Sequence, residues 1–187
     1  MPAPDKTTVS ESSIDGTLGK SWGPRVNACG LCLGLSAPRV TIDYVDVSAE
    51  DIARVPVGNV RVPRAEFVAL WQRAERFHDE QVRRGIPDWY GAGVVETCRW
   101  LANAIPRSET GRPGRLARSP VTERIDVAYE ELIEAECWAA EKLAACRPVP
   151  TWIEHRPGWI EAVVTTLNWA WRRYGRPPLN IDRSAVG

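Results

Sequence analysis

The chain has 187 residues, 44% of them apolar and 26% charged, a composition that fits one globular domain able to bury a core without a metal or disulfide staple. Its 24 basic and 24 acidic side chains cancel, which excludes a general electrostatic grip on nucleic acid or membrane and leaves only local patches for such contacts. No window approaches the ~20 apolar residues of a membrane helix, and residues 1–13 lack the basic start and apolar run of a signal peptide, so a cytoplasmic protein with reduced cysteines is expected.

Two biases colour the composition. The basic residues are nearly all arginine, lysine standing only at Lys6, Lys20 and Lys142; a codon bias accounts for this without invoking nucleic acid. There are also nine tryptophans. Indole buries a large area but wants an acceptor for its N–H, so most belong in the core or at its rim. A few can anchor an interface, where Trp is over-represented.

In chain order, residues 1–20 read as a disordered tail rich in Ser, Thr, Gly and Pro, and residues 21–187 as a single helical domain. Val40, Ile42 and Tyr44 alternate as in a strand. Ser48 and Asp51 carry a capping-box pattern that starts one helical turn. Gly58-Asn59 between β-formers suggests a hairpin, and Pro56 and Pro63 confine it to an edge; residues 39–62 are therefore a short strand or hairpin. From residue 64 the period changes. Phe67, Leu70, Trp71, Ala74, Phe77, His78 and Val82 recur at three- and four-residue steps, predicting a helix over 64–84 that starts after Pro63 and stops at Gly85.

A second helix is predicted over 89–105, capped by Asp88 and ended by Pro106, with Gly91 and Gly93 marking close backbone packing near its start. Residues 106–119 form an exposed loop with Arg107, Arg112, Arg115 and Arg118 against Glu109 alone, long for a compact domain. Ser119-Pro120 reads as N-cap and first position of the longest helix, 120–146. Its expected buried stripe is Ile125, Ala128, Leu132, Ala135, Ala139, Leu143 and Cys146. The opposite face carries Glu130, Glu131, Glu134 and Glu141. The last helix, 157–174, buries Ile160, Val163, Val164, Leu167, Trp171 and Tyr174 and is stopped by Gly175 and Pro177-Pro178. The fold expected is mainly α: a bundle of four principal helices with a small N-terminal β element.

Candidate chemistry is sparse. Cys29 and Cys32 have the spacing with which two thiolates grip a zinc ion, but a structural site needs four ligands and no second close pair exists. A redox pair would sit where a strand feeds a helix, whereas the flanks here read as loop; two small side chains tucking a loop onto the core explain the pair equally. Glu75 and His78 form one Glu-x-x-His step, half of what a di-metal carboxylate bundle requires, and His78 shares a face with Phe67 and Trp71, as a hydrogen-bonded core histidine would. No nucleophile elbow, phosphate-cradling loop or dinucleotide fingerprint is present.

These readings lead to a non-catalytic interaction protein, an adaptor or regulatory subunit with a protein partner, no membrane contact and no cofactor expected. The tryptophan content motivates it, with the segregation of Arg112, Arg115 and Arg118 from Glu130, Glu131 and Glu134. The alternative is a regulator that contacts nucleic acid through residues 112–118 and through Arg172 and Arg173 at the end of the last helix, where aromatics and guanidinium groups lie together; the helix dipole alone also favours those cations. A second alternative is a thiol or metal protein using Cys29 and Cys32.

Overall fold

The computed structural model describes residues 47–105 and 114–181. Six helices occur among them: α1 (Ala49–Arg54), α2 (Arg64–Arg83), α3 (Trp89–Leu101), α4 (Glu130–Ala145), α5 (Thr151–Glu154) and α6 (Trp159–Ala170). The four longer ones make a mainly α fold. The tail, the Val40–Tyr44 alternation, Cys29, Cys32 and Arg112 lie outside the described residues.

α3 and α6 carry the architecture. α3 packs against both α6 and α2, and α6 packs against both α3 and α4. The α3–α6 contact is close because of Gly93, where a Cβ would sit 2.7 Å from the carbonyl oxygen of Trp159 and 3.0 Å from the Ala162 methyl. Each of these helices also buries a threonine, and each hydroxyl finds its acceptor within its own helix. Thr97 donates to the Gly93 carbonyl and Thr166 to the Ala162 carbonyl, both at 2.7 Å, so neither buries an unsatisfied hydroxyl between the helices.

Local signals place most ends. Ser48 and Asp51 close a reciprocal capping box on α1, and Asp88 caps α3 by accepting from the Gly91 amide at 2.9 Å. Along α2 the buried residues are Phe67, Leu70, Trp71, Ala74 and Glu75. Val82 is exposed, so the last turns of α2 run past the core. His78 is only half-buried and its Nδ1 has no hydrogen-bond partner, facing Asp88 Oδ2 at 3.8 Å. The expected core histidine is thus a rim residue.

Several expectations need correction. Among the described residues there is no strand: residues 57–58 form a turn, and Asn59 is a buried cross-link, its side-chain amide donating to the Leu101 and Ala128 carbonyls at 2.9 Å each. The helix expected from residue 120 starts ten residues later. Ser119-Pro120 opens a turn instead, in which the Ser119 hydroxyl accepts from the Arg124 amide at 3.0 Å and Glu123 takes a left-handed conformation that breaks a helix.

The buried face of α4 is Ile133, Glu136, Cys137 and Ala140, one position on from the expected Leu132, Ala135 and Ala139, with Ile125, Ala135 and Cys146 exposed. The cause is Glu136. Its carboxylate accepts from the Val121 and Thr122 amides at 2.5 and 3.0 Å and from the Thr122 hydroxyl at 2.6 Å, which offsets burying a charge. The last helix, expected over 157–174, is shorter: α6 begins after Gly158 (φ 80°) and ends at Ala170, a short helix α5 that was not expected precedes it, and Tyr174 lies in solvent.

Candidate functional site

Five of the described tryptophans are buried, and three of them donate their indole N–H to a glutamate. Trp71 reaches Glu75 at 2.8 Å, Trp159 reaches Glu96 at 2.9 Å and Trp171 reaches Glu134 at 2.8 Å. Two of these carboxylates are also held by an arginine. Glu75 is 3% exposed and takes Arg99 through both oxygens, at 2.7 and 2.6 Å, the bidentate fork geometry. Glu134 takes Arg172 at 2.8 Å, and Arg172 also binds Glu141. The hydrogen bonds from Arg172 and then Trp171 hold the Glu134 carboxyl below its ordinary pKa.

The third carboxylate is different. Among the described residues no cation pairs with Glu96. It lines a cleft of about 300 Å3 with Arg99, Arg118, Glu123, Arg156 and Trp159, formed by α3, the segment before α4 and the entry to α6. Arg156 stands over the rings of Trp89, Trp152 and Trp159, at 5.4, 5.6 and 5.8 Å from their centroids. Its guanidinium has no hydrogen-bond or ion-pair partner among the described residues. Local folding explains the cluster. Turns through 155–158, with the Trp159 amide bonded to the Arg156 carbonyl at 3.1 Å, bring positions 152, 156 and 159 to one side. Trp152 and Trp159 meet edge-on at 5.7 Å.

The expected interaction residues scatter. Glu130 pairs with Arg61 at 2.6 Å in solvent, and Arg61 also lies 3.7 Å over the Trp171 ring. Glu134 and Arg172, assigned to different candidate interactions, bind each other. Glu131, Arg115 and Arg173 are exposed and have no ion pair among the described residues. Arg118 is mostly exposed, lines the cleft and stands 4.0 Å from Glu123. One surface residue is conspicuous: Trp138 on α4 is 64% exposed, with the Arg172 guanidinium 5.5 Å from its ring centroid.

Sequence reasoning passed over Arg156 and Trp138. Arg156 had a signal, since Trp152, Arg156 and Trp159 are spaced by four and three residues, a step that brings side chains to one side. Trp138 had none, because its neighbours on α4 read equally well as buried.

Metal and thiol chemistry find little support nearby. Among the described residues no group of three or more His, Cys, Asp or Glu side chains is arranged to hold a metal ion. Glu75 binds Trp71 and Arg99 while His78 faces Asp88, so the Glu-x-x-His step does not converge. Burial pushes the Cys98 thiol far up, Glu75 adding to the shift and Arg99 opposing it, and pushes Cys137 up to about 12; both stay protonated and unreactive at neutral pH. No described helix is long and apolar enough to cross a membrane. Comparison with family models, with characterised proteins and with solved structures finds no match for this chain.

Proposed function

We propose that this chain is a non-catalytic, cytoplasmic interaction protein, an adaptor or regulatory subunit, that engages a protein partner through the face of α4 centred on Trp138. One observation carries the reading: an indole 64% exposed on a regular helix, its ring against a guanidinium that two glutamates hold in place. Exposed tryptophan is uncommon and is enriched among residues that dominate binding energy. Because Arg172 is fixed by Glu134 and Glu141, the Trp138 ring is supported from below, which lowers the entropy lost on docking. Glu131, Ala135, Lys142 and Ala145 share its face, so a partner offering an apolar pocket with mixed charges at its rim fits.

The acidic residues take unequal parts in this reading. Glu131 is the one available for a cation of the partner. Glu134 is engaged with Trp171 and Arg172, so reversing its charge would disturb the fold before it tested docking. Contact with nucleic acid through residues 112–118 and the end of α6 is less supported, because Arg172 is neutralised by two carboxylates and Arg173 stands without it.

The test is co-purification from the native cell with wild-type protein, Trp138→Ala and Glu131→Lys. A partner retained by the wild type and reduced at least about tenfold by Trp138→Ala is expected, with a smaller loss for Glu131→Lys. Equal recovery by all three proteins removes the α4 face from consideration.

A further inference from the structure

We propose that the cleft between α3 and the entry to α6 binds a small zwitterion of the amino-acid class. In this assignment its carboxylate meets Arg156 and Arg118 and its ammonium meets Glu96. The inference is independent of the α4 face.

Charge is left over in this cleft. Arg99 cannot serve a ligand without breaking its double bond to Glu75. Arg156 is held by three indole rings and has no anion of its own among the described residues. Arg118 touches Glu123 only at 4.0 Å, with both side chains mostly exposed, a contact that costs little to give up. Glu96 spends one oxygen on the Trp159 indole and has no cation. The cleft thus presents opposite charges that do not neutralise each other across it.

A simple anion would gain the two arginines but suffer Glu96; a simple cation would gain Glu96 and suffer the arginines. A ligand bearing both charges satisfies each. Guanidinium forks match carboxylate oxygens, and the Glu96 oxygen that the Trp159 indole leaves unused can accept from an ammonium. The volume of about 300 Å3 lies at the small end of the ~300–1,000 Å3 typical of ligand pockets, which suits an amino acid or a dipeptide.

The experiment is calorimetric titration of the full chain with each standard L-amino acid, followed by the N-acetyl and C-amide forms of the tightest binder. Binding by at least one amino acid is expected, with each blocked form weakened about tenfold or more, as for the loss of one charged hydrogen bond. Arg156→Ala and Glu96→Gln should each weaken the free amino acid similarly. Glu96→Gln keeps an acceptor for the Trp159 indole and so tests the charge even where Arg156→Ala fails to fold. The proposal is overturned if no amino acid binds, if a blocked form binds as tightly as the free one, or if Glu96→Gln binds like the wild type.

Discussion

Two regions of this protein use the same three residue types to opposite ends. Where α6 ends beside α4, Trp171, Glu134, Glu141 and Arg172 close on one another, and every charge has a partner. At the other end of α6, Trp159, Glu96 and Arg156 share a cleft, yet Glu96 and Arg156 do not pair. The difference teaches that a Trp–Glu hydrogen bond is the constant structural device here, and that an arginine on the same carboxylate marks a closed, structural site. A third copy of the device, Trp71–Glu75–Arg99, is closed and the most deeply buried. Saturation, rather than residue type, separates scaffold from surface chemistry.

Removing carboxylates one at a time tests this contrast. Glu75→Ala should have the largest effect, about 3–5 kcal/mol in urea unfolding, because it leaves the buried Trp71 indole and the partly buried Arg99 without their acceptor. A loss below about 1 kcal/mol would mean that the closed triads are not structural. Next comes Gly93→Ala. In an ordinary helix that change stabilises by roughly 1 kcal/mol, but here the added methyl meets the Trp159 carbonyl at 2.7 Å, so a destabilisation of about 1–3 kcal/mol is expected. A stabilised variant would show that α3 and α6 can separate and that the cleft between them is not fixed.

Glu134→Ala, at a partly exposed triad, should cost about 1 kcal/mol. Glu96→Gln should change stability by less than about 0.5 kcal/mol, since the indole keeps an acceptor and no ion pair is lost. If Glu96→Gln proved as costly as Glu75→Ala, the cleft would have to be counted among the closed sites. The smallest effect is a pH dependence. The folded-state pKa of Glu134 is depressed below its ordinary value of 4.5, so its contribution is complete above that value and is lost as pH falls through the lower, folded one. The stability gap between wild type and Glu134→Gln should therefore narrow on acidification through this window, measured as the difference in urea midpoints.

Much of the helical scaffold was legible in the sequence. Pro63 and Gly85 bracket α2, predicted over 64–84 and found over Arg64–Arg83, because proline and glycine act on their own backbone. Gly93 was correctly read as close packing. The start of α4 was not legible: Ser119-Pro120 serves a turn as well as a helix cap, and the choice rests on Glu136, which binds the turn amides from 14 and 15 residues away. The same glutamate misled the reading of the buried face, since a charged residue is ordinarily placed in water. The arginine cleft was half legible, in the spacing of Trp152, Arg156 and Trp159; its other wall, Glu96, comes from a distant helix.

The sequence by itself determined that this chain is helical and roughly where its long helices run, because three- and four-residue apolar spacing and terminal Pro and Gly act within a few residues. Which charges remain available was decided only by the tertiary structure. Trp171 meets Glu134 across 37 residues and Trp159 meets Glu96 across 63, and no local pattern records whether an arginine will arrive at the same carboxylate. Pairing depends on which helix faces which, and here the close approach of α3 to α6 at Gly93 sets that.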